Sequence, residues 1–187
     1  MEASEYFYLN IIGQIDFAYY PIGFDGTKLF CRYDVVAGPD WELISGMGAG
    51  VTQNASVGRS IEKVVFNMPL EMMFKSTNPY GWPQIVFSLY GTNWWRVESS
   101  RGYARIHVPL SGKCTTIKAP ILTAKCSNLW STLSSWFADR NPELRDPKIL
   151  VEGTKTKGLN MESYGELVVN LQAITRGGDA LCLEWNS

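Results

Sequence analysis

Histidine and paired cysteines are what this 187-residue sequence has least of. There is one histidine, His107, and the four cysteines, Cys31, Cys114, Cys126 and Cys182, form no Cys-x-x-Cys pair. Structural zinc needs about four ligands in two close pairs, so the common zinc modules are excluded. Ser-His-Asp or Cys-His catalysis would have one base to use, and no Gly-x-Ser-x-Gly elbow accompanies it. Gly46-Met47-Gly48-Ala49-Gly50 runs into Val51-Thr52-Gln53 without the Lys-Ser or Lys-Thr of a phosphate loop, and it reads as a flexible loop. No run approaches the roughly 18 consecutive apolar residues of a membrane-spanning helix. Met1-Glu2-Ala3-Ser4-Glu5 lacks the basic start and apolar core of an export signal, so the expected compartment is the cytosol and the cysteines read as free thiols. Excess charge is absent too: 17 bases against 18 acids exclude nucleic-acid binding driven by global charge.

The sequence is rich in material for a core, with 45% hydrophobic and 13% aromatic residues. A chain of this length buries roughly 70% of its extended surface on folding and needs no disulfide or metal staple. One domain over residues 1–187 is expected. The dominant period is two, the mark of strands with one buried face. Phe7, Leu9, Ile11, Gly13, Ile15 and Phe17 share one face, as do Leu29, Cys31, Tyr33, Val35 and Ala37. Val64, Phe66, Met68, Leu70, Met72 and Phe74 form a third such set, with Pro69 marking an edge or a bulge. Further strands are predicted at 84–90, 103–109, 115–125 and 165–175. One helix is predicted where Leu129, Leu133, Trp136 and Phe137 fall at helical spacing, ending before Asn141-Pro142. The stretches Gly38–Ser60 and Glu152–Ser163 read as loops. The predicted fold is an all-β antiparallel sandwich of about seven to eight strands with one short helix.

Local charge says more than net charge. Between Ser99 and Ala138 there is no acid, while Arg101, Arg105, Lys113, Lys118 and Lys125 supply five bases. Such a stretch suits anionic lipid or an acidic protein surface, or is a solvated face paired with acids elsewhere in the fold. His107 alternates with Tyr103 and Arg105 and belongs on the polar strand face. The loop Asn78-Pro79-Tyr80-Gly81-Trp82-Pro83 is short and stiff, with a type I turn predicted at Asn78-Pro79. It presents Asn78, Tyr80 and Trp82 as candidate partner-binding residues, against the reading that the rings fold back over the end of the sandwich. Trp94-Trp95 poses the same question, because neighbours on a regular strand point to opposite faces.

Phe74-Lys75-Ser76-Thr77-Asn78-Pro79-Tyr80-Gly81-Trp82-Pro83-Gln84-Ile85-Val86, followed by Tyr90-Gly91, closely resembles the signature of the B9 domain family. Gly38-Pro39-Asp40-Trp41, Arg101-Gly102-Tyr103, His107-Val108-Pro109, Trp136-Phe137, Pro142-Glu143 and Asp146-Pro147-Lys148 support it in the same order along the chain. The resemblance implies a C2-like sandwich and a scaffold role in the tectonic-like, or Meckel syndrome, complex at the ciliary transition zone and basal body. It implies B9 domain-containing protein 2 and the Meckel syndrome type 1 protein as partners. It also implies a part in gating membrane-protein entry to the cilium, in ciliogenesis and in Hedgehog signalling.

Calcium sites of C2-type domains draw several carboxylates from neighbouring loops, commonly as Asp-x-Asp, because calcium wants six to eight oxygens. Asp25, Asp34 and Asp40 lie in the right region, but Asp-x-Asp occurs nowhere in the chain. No calcium site of that type is therefore expected, and with no catalytic constellation beyond His107 neither enzymatic activity nor a cofactor is expected. Calcium-independent contact with anionic phospholipid through the basic stretch is the alternative role.

Overall fold

The computed structural model describes residues 6–20, 28–56, 63–92, 98–124, 147–150 and 161–177. Ten strands run through them: β1 (Phe7–Tyr19), β2 (Lys28–Val36), β3 (Trp41–Gly46), β4 (Ala49–Val51), β5 (Ala55–Ser56), β6 (Lys63–Ser76), β7 (Gln84–Thr92), β8 (Glu98–His107), β9 (Thr115–Ala124) and β10 (Met161–Gly177). A 3-10 turn covers Pro147–Leu150. The strand order is β3-β6-β1-β10-β9-β8-β7-β2-β4, with β5 also on β2, and all pairings are antiparallel.

One bridging pair, Tyr103 with Leu122, joins β8 to β9. There the sheet folds over, setting β3-β6-β1-β10-β9 against β8-β7-β2-β4. The apolar faces meet in one core, with Leu9, Ile11 and Leu171 from the first layer and Cys31, Phe87 and Leu89 from the second. This is the antiparallel all-β sandwich that the period-two runs predict. The predicted helix, which begins at Ser127 or Asn128 and ends before Asn141-Pro142, and much of the predicted loop at 152–163 lie outside the described residues.

Three expectations are corrected. The predicted loop Gly38–Ser60 carries β3, β4 and β5 within its described part, residues 38–56, which raises the strand count from seven or eight to ten among the described residues. These strands are short, and five of the six residues of β3 are exposed, so no alternation announces them. The glycines between them make a fixed corner in place of a flexible loop. Gly46 has φ of +86° and closes against the Glu71 carbonyl, Val35 N–H donates to the Gly48 carbonyl at 2.7 Å, and Gly50 lies against the Tyr33 ring. A side chain at Gly46 or Gly50 would obstruct this corner.

Phe17 does not join the core face. Beyond Ile15 the register of β1 slips against both β6 and β10, and a one-residue bulge reverses side-chain parity. Ala18 and Tyr20 turn inward, while Phe17 packs outside against Tyr19 and under Lys63 Nζ, 3.6 Å from its ring centroid. The same bulge places Asn67 at φ of 47° two residues before Pro69. Since β3 pairs only with residues 72–76 of β6, Pro69 lies on a local edge as well. Tyr103 is the third correction: it is buried, not solvated. Val86, Ser88 and Tyr103 are all shielded on the outward side of β7 and β8, where the 3-10 turn packs on β7 and Lys148 reaches Asp34 at 3.4 Å.

Candidate docking site

Three segments far apart in sequence close one end of the sandwich: residues 38–41, 76–84 and 107–109. Antiparallel pairing of Trp41 with Ser76 and of Gln84 with His107 fixes their strand ends side by side. Within the middle segment the Ser76 hydroxyl donates to the Asn78 carbonyl at 2.8 Å and accepts from Asn78 N–H at 3.1 Å. Asn78 then acts as an Asx turn, its Oδ1 accepting from Tyr80 N–H at 2.9 Å, and its amide donates to Asp40 at 3.4 Å.

Gly38 N–H donates to the Gly81 carbonyl at 2.8 Å, locking the first two segments. Gly81 has φ of +70°, and a Cβ there would sit 2.5 Å from Gly38 Cα, so two glycines are needed for this approach. The third segment enters through Val108, whose N–H donates to the Pro83 carbonyl at 3.2 Å and whose carbonyl accepts from Trp82 Nε1 at 2.9 Å.

Trp41 stands at the centre. It is buried, its Nε1–H donates to the Tyr80 carbonyl at 2.9 Å, and its ring meets Phe7, Phe74 and Trp82 edge-on at 5.3, 6.4 and 5.2 Å. Such aromatic edges add about 0.5–1.5 kcal/mol each beyond burial. Trp41 is the site residue that candidate selection from sequence passes over. Its signal is the Gly38-Pro39-Asp40-Trp41 motif, whose side-chain contacts from Trp41 are long-range.

Of the loop candidates, Trp82 is half-buried against this cluster and Asn78 spends its side chain within the turn and on Asp40. Tyr80 is different, with 78% of its surface exposed while its backbone is held on both sides. A rigid loop thus displays one large amphipathic ring.

The basic stretch does not form one uniform face. Arg101 is half-buried in β8, and its carbonyl accepts from the Tyr20 and Thr123 hydroxyls at 3.2 and 3.3 Å. Arg105, Lys113 and Lys118 are exposed, on β8, on the connection to β9 and on β9. Trp94, Trp95 and Lys125 lie outside the described residues. His107 is exposed at the end of β8, and no group of three His, Cys, Asp or Glu able to hold a metal occurs among the described residues.

The family model described as "Ciliary basal body-associated, B9 protein" matches residues 9–174. The chain is 45% identical to B9 domain-containing protein 1 of Drosophila melanogaster, covering 98% of this chain and 80% of that protein. It is 34% identical to B9 domain-containing protein 1 of Homo sapiens, covering 91% and 82%. B9 domain-containing protein 2 of Danio rerio is 27% identical, covering 94% and 98%. Among solved structures, a C2 domain of plant Extended Synaptotagmin 1 superposes with a TM-score of 0.47 at 9% identity, covering 89% of this chain and 92% of that one. So loose a likeness carries no argument about ligands. With the match running from β1 to β10, the chain belongs to the ciliary basal body-associated B9 protein family.

Proposed function

We propose that this chain is a single B9 domain working as a non-enzymatic docking subunit of the tectonic-like (Meckel syndrome) complex at the ciliary transition zone. In this reading it binds B9 domain-containing protein 2 and the Meckel syndrome type 1 protein. The assembly helps restrict membrane-protein entry to the cilium and so supports ciliogenesis and Hedgehog signalling. The observation that carries the docking role is Tyr80, exposed at the tip of a loop that Trp41, Gly38 and Val108 hold rigid. A ring already ordered before contact binds at small entropic cost, which is why tyrosine anchors interfaces. Asn78 shapes that tip, and Trp82 supports it from beneath.

The test is co-purification of this chain with each of the two proteins, using wild type and Tyr80→Ala. A complex that forms with wild type and is lost with Tyr80→Ala supports the reading. If neither protein is retained by wild type, the docking role fails.

A second reading, calcium-independent binding to anionic phospholipid, is favoured by the exposed bases Arg105, Lys113 and Lys118 around the β8–β9 connection. Each base near an anionic surface is worth about 1 kcal/mol. Co-sedimentation with phosphatidylserine vesicles should fall when the three are reversed to Glu. Retention independent of acidic lipid removes this reading.

A further inference from the structure

The outer face of β6-β1-β10 is organised by register into three rows. Lys75, Tyr8 and Arg176 lie side by side in the first, Met73, Asn10 and Ile174 in the second, and Glu71, Ile12 and Gln172 in the third. The middle of this face is apolar and concave: Tyr8, Asn10, Met73, Ile174, Arg176 and Gly177 line a groove of about 590 Å³. Tyr8, Ile12 and Ile174 are 37–43% exposed, and no described element packs over them. A solvent-facing side of an antiparallel sheet is ordinarily polar.

Charge divides the face along the strands. In the first row Lys75 pairs with Glu42 of β3 at 2.8 Å, leaving Arg176 as one positive charge in excess. The third row carries Glu71 and no base. The two ends are four residues apart, about 13 Å. A two-fold axis lying across the strands would set the positive row of one molecule over the negative row of another. It would also stack Met73, Asn10 and Ile174 on their own counterparts. This is the self-complementarity an isologous interface requires.

We infer that this face docks a second copy of the chain, sheet against sheet, through Tyr8, Ile12, Met73 and Ile174, with Arg176 and Glu71 fixing the direction. The three rows hold nine residues, fewer than the roughly 20–30 a side of a standard interface, so the dimer is weak and reversible. It is separate from the Tyr80 loop and does not depend on the docking role proposed above.

Sedimentation equilibrium of the full chain over a concentration series tests it. The expected result is a reversible dimer that Glu71→Lys weakens at least tenfold, since both ends then carry positive charge. Combining Glu71→Lys with Arg176→Glu, which keeps the Lys75–Glu42 pair, exchanges the excess charges of the two ends and restores the dimer. Ile174→Asp abolishes it and Tyr80→Ala leaves it unchanged. Circular dichroism verifies the fold of each variant, and Arg176→Glu alone serves if the double variant does not fold, with the same weakening expected. A chain that stays monomeric at all concentrations overturns the inference, and so does a dimer indifferent to Glu71→Lys and Ile174→Asp.

Discussion

The Trp41 and Trp82 rings meet edge to face, 5.2 Å between centroids and 87° between planes, and each indole N–H is spent on the carbonyl of another segment. The pair joins residues 38–41 to 107–109 through the loop between them. Trp41→Ala should cost about 3–5 kcal/mol, because a buried ring is lost along with its hydrogen bond. A double-mutant cycle with Trp82→Leu, followed by urea unfolding, should return a coupling of about 0.5–1.5 kcal/mol. Strictly additive changes would mean that the rings are neighbours without interaction.

Gly81→Ala puts a methyl into the 2.5 Å approach to Gly38 Cα and forces φ of +70° on a residue with a Cβ. The left-handed conformation alone costs about 1–2 kcal/mol, and the clash adds to it. The loss of stability should exceed that of Gly48→Ala, whose Cβ meets only the Leu43 side chain at 3.4 Å. Equal midpoints in urea for the two variants would show that the loop can swing away from Gly38.

Cys31 is fully buried, and burial pushes its thiol well above the ordinary value of 9.0, so the reactive thiolate is suppressed. Cys114 is exposed on the β8–β9 connection. Brief iodoacetamide treatment of the native protein, followed by peptide mapping, should label Cys114 and leave Cys31 intact until urea is added. Labelling of Cys31 at the same rate would contradict its place in the core.

Burial also raises the phenols of Tyr20 and Tyr33 above 10.0. Desolvation is the main cause for both, and for Tyr20 the nearby Arg101 offsets it in part. The folded state therefore holds the protons of Cys31, Tyr20 and Tyr33 more tightly than the unfolded chain does. Stability from these groups is fully present below about pH 9 and is lost as pH rises through their folded values. The urea midpoint should fall between about pH 8 and about pH 10.5, and Tyr20→Phe should lessen the fall. A flat profile would show that the rings are solvated.

How much of the fold is legible in the sequence depends on the range of the interaction. The inward faces of β2 and β6 follow from alternation alone, and Pro69 correctly marks a bulge and a local edge. Phe17 escapes the pattern because a bulge is set by three strands in register, and nothing within β1 announces the slip. β3 is hidden because its edge position leaves both of its sides exposed beyond Trp41. Tyr103 obeys strand parity but is covered on the outside, which no local pattern encodes. At the site, Tyr80 can be named as a candidate from sequence, whereas its separation from Trp82 depends on Gly38, Trp41 and Val108, contacts 26 to 43 residues away.

Trp41 holds the loop, and the proposed function has it bind through Tyr80. The most direct test is a titration of B9 domain-containing protein 2 with wild-type and Tyr80→Ala chains. Tyr80 makes no core contact, so the variant should unfold within about 0.5 kcal/mol of wild type. Its affinity should drop at least tenfold, about 1.4 kcal/mol or more. Unchanged affinity in a variant of unchanged stability would contradict the account and leave the loop a purely structural closure of the sandwich.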